Sequence, residues 1–210
     1  MNTLFLNLAS QNGLLACVTE QRVIASIALD HRVDDGELIT MLEKLLQEAR
    51  WKFTDLTHVA CVTGPGGFMS LRVAVSLANT LVHQLKIPGT GVHLSDLYAA
   101  RKRDSDLGPR TSGNFLWLHS TKKHELFVRG FGEYAKLWPE AIHMQLDEFL
   151  LQAPASAQWI GELLPEHEAA MTDKRMKPDS LQPIAEVLPF FLEGLTYGPE
   201  TLEPWYGREG

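Results

Sequence analysis

Residues 58–85 limit what this chain can fold into more than any other stretch. Val59-Ala60-Cys61-Val62 is an unbroken run of β-branched and small apolar residues of strand length. It has no alternating polar face, so it predicts a strand buried on both sides and central in a sheet. Gly64-Pro65-Gly66-Gly67 ends that strand, because the proline lacks a donor and the glycines take positive φ at little steric cost. From Ser70 to Leu85, Leu71, Ala74, Val75, Ala78, Leu81, Val82 and Leu85 recur on one face at helical spacing, the face that packs on the sheet. Val73 and Leu77 lie well round from that stripe. The helix is therefore apolar over more of its circumference than one sheet covers, which predicts a second apolar neighbour.

A glycine turn ahead of a helix also gathers free backbone N–H groups at the positive end of the helix dipole, where phosphate binds. Here turn chemistry is the preferred reading. No Gly-Lys-Ser/Thr ending follows, and Gly64-x-Gly66-Gly67 lacks the dinucleotide-binding spacing.

The 210 residues suffice for one large or two small domains and for burying roughly 70% of the unfolded surface. A net charge of -7 argues against a protein that grips a nucleic acid backbone unaided. Arg101-Lys102-Arg103, Lys122-Lys123 and Lys174-Arg175 read as solvated surface or helix ends. Cys17 and Cys61 both fall inside predicted strands, as inert buried thiols suited to a reducing cytosol. Residues 1–10 lack the basic start and cleavage site of a signal peptide, and no apolar run approaches a membrane span. The expectation is a cytoplasmic protein with no membrane contact.

In chain order, residues 3–8, 14–19 and 22–29 predict an antiparallel meander of three strands, turning at Asn12-Gly13 and Glu20-Gln21. Its first turn, 7–13, is polar enough to line a site, although polar turns ordinarily just solvate the backbone. Residues 37–50 place Leu38, Met41, Leu42, Leu45, Leu46 and Ala49 on one helical stripe, with Asp34 or Asp35 as cap. Both readings of that stripe, core and partner surface, stay open. A strand at 87–92 and a helix at 96–103 follow. Gly108, Pro109, Ser112 and Gly113 mark a domain boundary in 104–113, giving subdomains 1–104 and 105–210. Beyond it, strands at 115–119 and 126–131, a strand at 141–144, a helix at 146–151, a strand at 158–161 and a helix at 181–195 echo the first half, without a residue-level repeat.

The search for catalytic constellations is mostly negative. The eight histidines include no His-Glu-x-x-His and no i, i+4 pair, so no metal site is supported. Ser70 and Ser76 lack a Gly-x-Ser-x-Gly frame. The carboxylates Asp30, Asp34 and Asp35 read as helix caps.

The order of elements resembles the α/β, actin-like or hexokinase-like (ribonuclease H-like) duplicated domain, with mixed sheets flanked by helices. At residues 63–72 the resemblance becomes specific. It is similar to the Gly-Pro-Gly-Ser-Phe-Thr-Gly-Leu-Arg signature of the TsaB family, also called YeaZ, within the glycoprotease-like superfamily. Bacterial proteins of this family are required for the threonylcarbamoyladenosine modification of tRNA. Gly64, Pro65, Gly66, Phe68, Leu71 and Arg72 match the signature, while Gly67, Met69 and Ser70 depart from it. Residues 87–97 resemble the family's Pro-x-x-Gly-Val-Ser-x-Leu segment, and 202–208 resemble its Pro-x-Tyr-Leu-Arg ending. Asn7-Leu8-Ala9-Ser10 stands where the family has Asp-Thr-Ala, and His119-Ser120-Thr121 where it has Asp-Ala-Arg.

The resemblance implies a subunit with no catalytic residues, metal or cofactor of its own. Its partner would be a TsaD-like transferase, joined by a TsaE-like ATPase, with tRNA contacted only through the complex and ATP or ADP held at a shared interface. It implies a partner surface on the two N-terminal helices, here Leu38, Met41, Leu42 and Leu45 with Val73, Leu77 and Leu81, through which the chain also forms a homodimer. The rival is a divergent nucleotide-dependent phosphotransferase of the actin-like class, with Asn7, Ser10 and the turn from Gly64 to Gly67 facing phosphates. The older glycoprotease label is a third reading, against which the missing metal-pair histidines count.

Overall fold

The computed structural model describes residues 1–29, 35–102 and 113–207. The expected caps Asp30 and Asp34 and the expected division after residue 104 lie outside them.

The chain opens with β1 (Asn2–Asn7), β2 (Gly13–Thr19) and β3 (Val23–Leu29), then α1 (Asp35–Ala49), β4 (His58–Gly64), α2 (Phe68–Leu85), β5 (Gly89–His93) and α3 (Leu94–Arg101). The first sheet has the order β3-β2-β1-β4-β5. Its meander is antiparallel, whereas β4 runs parallel to both β1 and β5. The apolar run of β4 lies between two parallel neighbours and Val59, Ala60, Cys61 and Val62 are fully buried, as a central strand requires.

The second half contains β6 (Phe115–Lys122), β7 (Glu125–Phe131), β8 (Ile142–Gln145), α4 (Leu146–Gln152), β9 (Gln158–Glu162), α5 (Pro165–Asp173), β10 (Lys177–Pro178) and α6 (Ile184–Glu193). Its sheet order, read as β8-β7-β6-β9-β10, matches the first sheet strand for strand, with two antiparallel pairs followed by two parallel ones. The duplication anticipated from the element order is thus present in topology. The helix α5 was not anticipated, because Pro165–Asp173 buries only His167 and Met171 and carries no apolar stripe. Its signal lay in a proline at the first position followed by acidic residues, which suit a helix start.

Two compact units result, one of Met1–Leu94 with Pro183–Tyr206 and the other of Ser95–Gln182. The C-terminal segment therefore belongs to the first unit, where α6 packs on β2 and β3 and buries Val187, Leu188 and Leu192. In that unit Leu4, Leu6 and Leu15 of the sheet form one core with Leu42, Leu45 and Leu46 of α1 and Ala74, Ala78 and Leu81 of α2. Among the described residues, no helix is long and apolar enough to cross a membrane.

Candidate functional site

The glycine turn lies where two other backbones pass it. Gly64 has φ 148° and precedes Pro65 through a cis peptide. A Cβ on Gly64 would stand 2.1 Å from the Trp205 carbonyl oxygen, and one on Gly66 would stand 2.5 Å from the Ala9 carbonyl oxygen. No side chain fits at either position. Gly67 is different: its backbone is extended at φ -62° and ψ 129°, and its Cβ would meet nothing closer than Ser70 Oγ at 3.5 Å.

Asn7, at the end of β1, is buried against the same region. Its Oδ1 accepts the backbone N–H groups of Ala9 (3.2 Å) and Ser10 (3.3 Å), and its Nδ2 donates to Ser10 Oγ (2.9 Å). This is an Asx-type turn in which both ends of the amide are engaged locally. The predicted nucleotide-facing pair, Asn7 and Ser10, is thus brought together, and Ala9 between them rests on Gly66.

The helical surfaces sort differently from the leucine pattern. Of the residues expected at a partner interface, Leu42, Leu45 and Leu81 are buried in the core, and Leu38 is buried there too while lining a groove beside α2. The strongest apolar stripe of α1 faces the sheet, because that is where most water is excluded. Met41, Val73 and Leu77 are half-buried. Between α1 and α2 runs an open groove of about 420 Å³, floored by Leu38, Val73 and Leu77 and walled by Ile39, Met69, Arg72 and Ser76. Ile39 and Met69 are each 47% exposed. The sequence pattern missed both, Ile39 because it stands one residue off the stripe and Met69 because α2 begins earlier than its periodicity, at Phe68.

Residues 198–206 form a strap across this region. Gly198 exchanges backbone hydrogen bonds with Gly89 (2.8 and 3.0 Å). The side chain of Asn79 both donates to the Leu202 carbonyl and accepts its N–H, each at 2.9 Å. The Trp205 N–H donates to the Thr63 carbonyl at 2.8 Å, and the Trp205 ring meets His93 edge-on at 4.6 Å. Next along, Tyr206 lies against Phe68 at 5.1 Å between ring centroids, and the Arg72 guanidinium sits over the Phe68 ring, 5.4 Å from its centroid. Phe68 is 57% exposed.

In the second unit the departure at His119 has a definite setting. His119 stacks on Trp117 at 5.9 Å, with Nδ1 3.7 Å from Glu162 Oε2, and Tyr98 donates its hydroxyl to Glu162 Oε1 at 2.5 Å. Burial pushes the His119 pKa down to about 4, against the pull of the Glu162 charge. Burial and the Glu162 charge push the Tyr98 hydroxyl up. Ser120 Oγ accepts the Leu164 N–H at 2.8 Å and ties β6 to the start of α5.

A five-strand order used twice, with helices flanking each mixed sheet, defines the duplicated actin-like or hexokinase-like class. Residues 30–149 match the family described as TsaD: tRNA N6-adenosine threonylcarbamoyltransferase, and the chain belongs to that family. The TsaB biosynthesis protein of Buchnera aphidicola (from Schizaphis graminum) is 29% identical over 85 residues, 40% of each chain. The matches to this and two further curated relatives span between 23% and 40% of those proteins' own lengths. Two solved structures from Pseudomonas aeruginosa share the fold at 19% identity. One, a protein described as similar to peptidase YEAZ, has a TM-score of 0.70 and covers 99% of both chains. The other, YeaZ, has a TM-score of 0.67 and covers 98% of this chain and 99% of its own. The TsaB (YeaZ) resemblance carried by Gly64, Pro65, Gly66, Phe68 and Arg72 is borne out.

Proposed function

We propose that this chain is a non-catalytic subunit of tRNA threonylcarbamoyladenosine biosynthesis that supports a TsaD-like transferase through the α1–α2 groove. The observation that carries this reading is the groove itself, where Ile39 and Met69 stand exposed beside half-buried Val73 and Leu77. Apolar side chains exposed along a helix pair are what a packed helical partner covers, and a stable contact buries on the order of 800 Å² on each side. The chain self-associates through the same face when alone. A TsaE-like ATPase joins the complex, tRNA is reached only through it, and the setting is the cytoplasm.

The chain holds no nucleotide by itself, and ATP or ADP is bound where it meets its partner. Support comes from the glycine turn, which no Gly-Lys-Ser/Thr ending follows, and from Asn7, whose amide is engaged with Ser10 and the turn backbone. Both count against the phosphotransferase reading.

Size-exclusion chromatography with light scattering tests the proposal, on the chain alone and mixed with the TsaD-family transferase of the same organism. The expected result is a homodimer that exchanges into a heterocomplex. A monomer indifferent to the transferase overturns the reading.

A further inference from the structure

The groove is lined by apolar side chains together with Ser76 and the charged Arg72. This side chain is exposed, and among the described residues its recorded contact is the face of Phe68 rather than a carboxylate. On a chain of net charge -7, an exposed guanidinium beside an apolar groove, with no carboxylate partner among the described residues, is a local reversal of sign. A guanidinium over a ring face still offers N–H groups to a carboxylate, which it binds in a fixed plane. Phe68 also lies against Tyr206, with ring centroids 5.1 Å apart, and Tyr206 is held by the strap through the Trp205–Thr63 and Leu202–Asn79 hydrogen bonds.

Resting on the α1–α2 interface reading, we propose that Arg72 is the specificity-determining residue of that face. It pairs with a carboxylate on a helix of the TsaD-like partner, set one turn from an apolar side chain that enters the groove over Val73 and Leu77. Tyr206 is a positioning residue that acts through Phe68. The C-terminal strap thereby belongs to the recognition apparatus, although it is remote in sequence from both helices. A helix with apolar and acidic residues one turn apart satisfies the floor and the wall together, since i and i+4 side chains share a face. Truncating a charged partner at the edge of such an interface weakens binding and removes its salt dependence.

The test is calorimetric titration of the TsaD-family transferase into the wild-type chain and the variants Arg72→Ala, Arg72→Lys, Tyr206→Ala, Tyr206→Phe and Leu77→Glu, at about 50 and about 300 mM salt. Arg72→Ala should lower affinity about tenfold and flatten the salt dependence, with Arg72→Lys in between. Tyr206→Ala should weaken binding severalfold with the melting temperature and circular dichroism unchanged, and Tyr206→Phe should restore it. Wild-type affinity and salt dependence in Arg72→Ala overturn the inference, as does Tyr206→Ala binding like wild type. If Leu77→Glu abolishes binding while both of those variants bind normally, the inference alone fails. If Leu77→Glu also binds normally, or if only self-association responds to Arg72, the transferase reading of the face fails.

Discussion

The carbonyl oxygen of Trp205 occupies the space that a Cβ on Gly64 would take, 2.1 Å from its ideal position. The most recognisable turn in the chain is thus shaped by a segment some 140 residues away in the sequence, which also bonds to it through Thr63. Gly64→Ala combines that clash with a φ of 148°, and Gly66→Ala drives a methyl into the Ala9 backbone. Each should cost about 3 kcal/mol or more, because backbone does not yield as a side-chain end does. Gly67→Ser should be neutral or gain a few tenths of a kcal/mol, since its extended backbone and open surroundings suit a capping hydroxyl. Urea unfolding of the three variants checks the order. A Gly64→Ala protein as stable as wild type would sink this account of the turn.

Leu42 and Leu77 sit on different helices and meet the same core to different degrees. Leu42 is fully buried in the core, whereas Leu77 is half-buried at the groove. Leu42→Ala should lower stability by about 2–5 kcal/mol. Leu77→Glu should leave the circular dichroism spectrum and melting temperature near wild type while abolishing association in light scattering. Equal destabilisation by both changes would return Leu77 to the core.

His119 should make the second unit acid-sensitive. An unfolded imidazole titrates near 6.5, while burial holds His119 at about 4. Between those values the unfolded chain binds a proton that the folded chain does not. The stability His119 allows is therefore complete above pH about 6.5 and declines as the pH falls toward 4. The loss should be on the order of 2 kcal/mol near pH 5, at about 1.4 kcal/mol for each pH unit of the window. His119→Phe should melt at a temperature less dependent on pH in that range. Superimposable profiles for variant and wild type would remove His119 as the cause.

Titrating ATP and magnesium into the isolated chain should give no heat beyond dilution, with Asn7 engaged by Ser10 and no Gly-Lys-Ser/Thr ending after the glycine turn. Micromolar binding would instead bring the phosphotransferase reading to the front. Binding that appears only once the transferase is added would agree with a nucleotide at a shared interface.

Much of this fold is legible in one dimension because its determinants are local. The unbroken apolar run at Val59–Val62 marks a central strand, since only a strand buried on both faces can do without polar residues. The period of Leu38, Leu42 and Leu45 marks a helix, and Gly64, Pro65 and Gly66 mark a turn and a family. What the helical period leaves open is which neighbour an apolar face meets. It would read the same whether Leu42 faced a sheet or a partner, and only the packing of α1 beside α2 on the first sheet sends Leu42 inward and leaves Ile39 and Met69 outside. The glycines divide in the same way. That 64–67 must turn follows from the residues alone, but that 64 and 66 tolerate no side chain while 67 does is decided by Trp205 and Ala9, which approach only in the folded chain. The placing of Arg72 by Tyr206 has no trace in sequence spacing, because contacts between remote segments are set by tertiary packing rather than by any local period.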